Sequence, residues 1–208
     1  MSVRVIIPPE PVVEPAAISG ANLPDSDTVA DIISAVTGGI DGPDGWLQRA
    51  LGPQTLELVK PAFGCSKAFS LPCPPLIVID SVKYLDPDGA EQIVDPAAYR
   101  KAGDMIWFIP SYSFPATLCA PDAVKIRYRA GYNGIDVKDG GTGNVPEKAK
   151  RAIILTVQHT IAIGVENLFL RAEEVDGVGR KEFTVSETGG KLIADAASRF
   201  LQTLRVYS

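Results

Sequence analysis

Val145-Pro146-Glu147-Lys148-Ala149-Lys150-Arg151-Ala152-Ile153-Ile154-Leu155-Thr156-Val157-Gln158-His159-Thr160-Ile161-Ala162-Ile163-Gly164-Val165 is the run whose reading decides the fold. Pro146 suits a first helical turn, where its missing N–H leaves no bond unmade. Glu147 stands at the positive end of the helix dipole. After Arg151 no charge appears until Glu166. In between, Ile153, Ile154, Leu155, Val157, Ile161, Ile163 and Val165 point in nearly every direction around a helix. A helix that is apolar all round is buried all round. Its charge-free part falls well short of the roughly 20 residues that span a bilayer, and a chain this small has few elements to wrap it. Neighbouring copies are therefore its expected cover.

Working outward, Ala123-Val124-Lys125-Ile126-Arg127-Tyr128 reads as a strand leading, through the glycine-rich loop Asp139–Asn144, into that helix. Upstream the texture is β throughout: strands are expected at 55–58, 76–84, 92–94 and 105–109. The Asp86-Pro87-Asp88-Gly89 turn joins the second and third of these. Asp25-Ser26-Asp27 offers caps for a first helix carrying Val29, Ile32, Ile33 and Val36 on one face. Gly38-Gly39 weakens that helix, and Trp46–Leu51 reads as a second, short one. Five prolines in residues 1–24 give an extended arm. Residues 171–190 read as a charged, glycine-rich link. Apolar residues at 192, 193, 196, 197, 200, 201 and 204 then mark an amphipathic helix.

The sum is an α+β fold. A small helical bundle (25–54 and 145–170) carries an inserted antiparallel β-sheet domain (55–134). It is flanked by the N-terminal arm (1–24) and by a linker with a C-terminal helix and tail (171–208).

Composition narrows the function. The 208 residues are 46% apolar with a net charge of −5, which suits a globular chain and opposes one that coats nucleic acid by neutralising phosphates. An acidic wall past which DNA slides is compatible with that charge. Three cysteines (Cys65, Cys73, Cys119) are too few and too odd in number for a disulfide framework, so reduced thiols and assembly in a cytoplasm are expected. Neither a signal-peptide core nor a membrane span is read.

Catalytic patterns fall away one by one. His159 is the single histidine, which excludes a multi-histidine metal site, and no Gly-x-Ser-x-Gly elbow supplies a nucleophile. The cysteine spacings match no zinc motif. The Asp139–Asn144 glycines lack the lysine and hydroxyl of a P-loop and read as a flexible loop. Asp86–Gly89 lacks the glutamate of a calcium loop. Lys125, Arg127 and Arg129 alternate along one strand face, read first as a solvated outer surface, with a phosphate backbone or an acidic neighbour as the alternatives. No catalytic residue, cofactor or metal is assigned, and a non-enzyme is expected.

The order of features resembles the head–tail connector (adaptor) proteins of long-tailed bacteriophages and gene transfer agents. The resemblance rests on Trp46–Leu51 followed by Gln54-Thr55-Leu56-Glu57-Leu58, and on Pro74-Pro75-Leu76 followed by Val82–Asp86 and Asp88-Gly89. Asp95–Arg100, Ala130-Gly131-Tyr132, Val145-Pro146 with Ala152–Leu155, and Leu201–Arg205 continue it. Two departures stand out: the glycines that break the first helix, and the extra Thr160–Val165 stretch before Glu166-Asn167.

What the resemblance implies is a structural protein of the virion's head–tail junction. It would be assembled in the host cytoplasm as a ring, usually dodecameric, under the portal protein. Such a ring extends the DNA channel, passes double-stranded DNA without reading its sequence, and docks a head-closure or tail protein. The expected subunit interface is Ile153, Val157, Ile161 and Val165. The expected portal contact is Phe200, Leu204, Arg205 and Tyr207. Competing readings are another neck component (head-closure or tail-terminator protein) and a small soluble ligand-binding domain.

Overall fold

The computed structural model describes residues 2–20, 23–162, 172–175, 179–182 and 187–207. It divides into two compact units. One, the β unit, comprises Met1–Glu10, Ile40–Val145 and Arg205–Ser208; the other, the helical unit, comprises Pro11–Gly39 and Pro146–Leu204. The fold is α+β, with antiparallel sheets and three α-helices among the described residues.

In the β unit, a five-stranded sheet is built from β1 (Ser2–Ile7), β2 (Gln54–Lys60), β8 (Val124–Ala130), β4 (Leu76–Leu85) and β5 (Glu91–Ile93), in that spatial order. All four joins are antiparallel. A three-stranded sheet orders β3 (Ala68–Ser70), β7 (Met105–Phe108) and β6 (Tyr99–Ala102). The β4–β5 hairpin turns at Asp86–Gly89. There the Asp86 carboxylate accepts from the Asp88 and Ala90 N–H groups, and Gly89 takes φ +85°.

The core of the β unit joins Leu56, Leu58, Val82, Val124, Ile126 and Tyr128 of the large sheet to Ile106 and Phe108 of the small one. Phe63 stacks on Phe114 at 4.9 Å and meets Phe108 and Tyr84 edge-on at 6.0 and 5.8 Å. β8 alternates as a half-buried strand should: Val124, Ile126, Tyr128 and Ala130 point inward, while Arg127 and Arg129 are exposed.

The sequence reading needs four changes here. Ser2–Ile7 is an edge strand, because the prolines begin only at Pro8 and leave a β-branched run free to pair. Downstream of it, Val13 and Ile18 are buried, so this proline-rich stretch lies on its own chain. Trp46–Leu51 is an irregular loop with Gln48 at φ +52°, and it belongs to the β unit. The short strands β3 and β6 went unread.

In the helical unit, α1 (Ser26–Gly38) starts on the expected cap, with the Thr28 N–H donating to Asp25 at 3.0 Å. It buries Val29, Ile33 and Thr37. Helix α2 (Glu147–Ala162) packs on α1 and on α3 (Glu187–Gln202). Residues 171–190 are not wholly a link. Strands β9 (Ala172–Val175) and β10 (Gly179–Glu182) form an antiparallel hairpin, and α3 begins five residues before the expected Leu192. Four-residue charged strands carry no apolar alternation, and Gly189-Gly190 masks a helical start.

Candidate functional site

Helix α2 has one inner stripe. Ala149, Ala152, Ile153 and Val157 are buried at helical spacing, the last two with 0% exposure. Ile153 and Val157 are already covered by their own chain and offer no surface to a neighbouring copy. Their cover comes from within the chain, since α1 and α3 both pack on α2. Ile161 stays half-buried, and Val165 lies outside the described residues. A second face remains open: Lys148 and Arg151 are exposed, and Ile154, Leu155, Gln158 and Ile161 are half-buried. Gln158 donates to the Ser19 carbonyl at 2.5 Å. His159 is half-buried on the same helix.

The motif segments of the β unit meet at one end of its large sheet. Asp41, 7% exposed, accepts from the Leu51 N–H (2.8 Å), the Gln54 amide (3.0 Å) and the Gly52 N–H (3.4 Å). Burial raises its pKa, although those three donors oppose the shift. Ala50 N–H donates to the Pro74 carbonyl at 3.1 Å, Gly131 N–H to Pro75 at 2.8 Å, and Tyr132 N–H to Leu51 at 3.0 Å. Arg49 donates to the Tyr132 hydroxyl at 3.2 Å. Gly131 sits at φ +119°, and a Cβ there would lie 2.1 Å from the Gly52 carbonyl oxygen. Only glycine allows that approach. Asp41 carried no motif signal in the sequence; its role shows only once its loop is folded.

The C-terminal tail ends on the same loop. Val206 N–H donates to the Leu47 carbonyl at 2.9 Å, and the Arg205 guanidinium lies 4.7 Å over Trp46 and 5.1 Å over Tyr207. Of the expected portal residues, Tyr207 is 73% exposed, while Phe200, Leu204 and Arg205 are half-buried. Phe200 and Leu204 belong to the helical unit, Arg205 and Tyr207 to the β unit.

The loop after β8, expected to be flexible, is cross-braced. The Asn133 side chain accepts from Ile135 N–H (3.2 Å) and Thr142 N–H (3.0 Å), and the Thr142 hydroxyl donates to the Gly131 carbonyl (2.7 Å). Gly134 N–H donates to Gly143 (2.9 Å), and Gly143 N–H to Ile135 (2.8 Å). A 3-10 turn over Val137–Asp139 closes on left-handed Gly140. Ile135 and Val137 stand out from this loop, 51% and 73% exposed.

The basic row of β8 is ion-paired: Lys125 with Asp122 (3.7 Å), Arg127 with Glu57 (3.0 Å) and Arg129 with Asp80 (3.5 Å). Burial pushes the Cys73 thiol up to about 12, whereas Cys65 and Cys119 are exposed. Among the described residues, no group of three or more His, Cys, Asp and Glu side chains is placed to hold a metal ion. Nor is any described helix long and apolar enough to cross a membrane.

No protein-family model matches the sequence, and no curated protein matches it. Solved structures do match in fold. A chain from the neck of an empty GTA particle, computed with C6 symmetry, aligns over 100% of this chain and 97% of its own, with TM-score 0.63 and 15% identity. A chain from the neck of a native GTA particle, computed with C12 symmetry, aligns over the same shares with TM-score 0.56 and 15% identity. A chain from the virion of a native gene transfer agent particle gives TM-score 0.57 and 16% identity, again over 100% and 97%. The chain is thus similar in fold to chains found in such particles.

Proposed function

We propose that this chain is a structural head–tail connector of a tailed, phage-like particle. It forms a ring, twelve copies in the simplest case, beneath the portal. The ring extends the channel for double-stranded DNA and presents a surface to the next neck or tail protein. The observation that carries this reading is the full-length fold likeness to a chain of a neck computed with C12 symmetry. The ion-paired β8 face agrees with a channel component that does not bind DNA phosphates, because its cations already have partners. Copies meet through the open face of α2 (Ile154, Leu155 and Ile161), in place of the buried Ile153 and Val157. The portal contact is made by the tail, led by Tyr207.

The same likeness supports a second reading, another ring of the neck, since the neck as a whole is what those reconstructions contain. The two part on location. A tag on this chain, imaged in purified particles, marks the portal-proximal ring on the first reading and a portal-distal ring on the second. Label found only on the capsid shell or the distal tail would refute both.

A further inference from the structure

We propose that the braced loop Asn133–Asn144 is an apolar finger that docks on the open face of α2 of a neighbouring copy, a contact that rests on the ring reading above. A ring generated by rotation joins two different surfaces of the same chain, one from each neighbour. The finger and the helix face form such a pair.

The finger displays Ile135 and Val137 with little cover of their own, at 51% and 73% exposure. Exposed apolar side chains on a mobile loop would lose much of their docking energy to ordering, but this loop is already fixed by the Asn133–Thr142 brace. Gly141 tightens it further, since a Cβ there would lie 2.1 Å from the Ile135 carbonyl oxygen. The helix face offers Ile154, Leu155 and Ile161, half-buried and spaced along two turns.

Charge sets the register. Asp136 and Asp139 flank Val137, and the exposed Arg151 and Lys148 lie one and two turns before the apolar strip. The Asp136 carboxylate is paired with the exposed Lys138, at 3.4 Å. The match places Val137 near Leu155, with the two aspartates toward Arg151.

A photo-crosslinking amino acid at position 137 of the full-length chain, assembled into particles, tests the contact. Irradiation is expected to give a dimer-sized product whose linkage maps to residues 148–162 of another copy. Val137→Asp is expected to lower the chain's incorporation into particles at least tenfold with its thermal unfolding unchanged, and Val137→Leu to restore it. Arg151→Glu is expected to weaken incorporation, and adding Asp136→Arg with Asp139→Arg to recover it. Linkage to any other segment or protein, linkage only within one chain, or normal incorporation of Val137→Asp overturns the proposal. Absence of the unsubstituted chain from the particle neck would instead remove the ring reading itself.

Discussion

Replacing Asp41 with alanine tests whether one carboxylate holds together the loop on which the tail and the sheet end converge. The substitution strips the partner from two well-formed bonds, Leu51 N–H at 2.8 Å and the Gln54 amide at 3.0 Å, and from a longer one to Gly52 N–H at 3.4 Å. Each buried donor left without a partner costs about 1–3 kcal/mol. Relief of the carboxylate's own desolvation, the cause of its raised pKa, offsets part of this. The net loss is about 2–4 kcal/mol. Asp41→Asn keeps Oδ1 as acceptor for both the Leu51 N–H and the Gln54 amide and loses only the longer bond from Gly52 N–H, so it should cost about 1 kcal/mol. Urea unfolding followed by far-ultraviolet circular dichroism, with Trp46 fluorescence reporting on the loop, measures both. A loss for Asp41→Ala within about 0.5 kcal/mol, the range of ordinary surface changes, would refute the clip.

Further outcomes follow from the same geometry. Because the folded-state pKa of Asp41 is raised, the folded chain holds a proton that the unfolded chain has released. The associated stability is present below the ordinary carboxylate value, about 4, and is lost as pH rises through the raised value. Unfolding titrations should therefore show the unsubstituted chain losing stability relative to Asp41→Asn as pH climbs through that window; a flat difference would contradict the shift. Gly131→Ala should cost more than about 2 kcal/mol or block folding, since its Cβ meets the Gly52 backbone at a positive φ; soluble yield and melting temperature report it. Ile153→Ala should destabilise the free chain by about 2–5 kcal/mol and Ile161→Ala by less than half of that, a contrast that thermal melts can read. Of the three thiols, Cys65 and Cys119 should react quickly with a thiol reagent in the folded chain, and Cys73 only on unfolding.

Much of the fold was legible because its signals are local. Alternation marked β2 and β8, short apolar runs marked β4 and β7, Asp86–Gly89 marked the hairpin, and Asp25 marked the start of α1. What escaped depends on partners distant in sequence. The six residues of β1 become a strand by pairing with β2, from Ser2 with Val59 to Ile7 with Thr55, and the conformation of Trp46–Leu51 is set by Asp41 and Pro74. The cover of α2 divides in two for a physical reason. Apolar residues all round the helix do demand cover all round, but periodicity does not say which cover is supplied from within. Ile153 and Val157 fall on the stripe packed inside the chain, and Ile161 falls on the open one. The glycine-rich loop was misread as flexible because its bracing comes from single side chains, Asn133 and Thr142, whose bonds leave no periodic trace.

The most direct test of the whole account is a reconstruction of the particle's head–tail junction by electron cryomicroscopy. The account predicts a closed ring of this chain beneath the portal, with the α2 open face against a sister copy and Ile153 and Val157 enclosed within each subunit. A junction in which this chain is missing, or stands as isolated copies with no like neighbour, would contradict it.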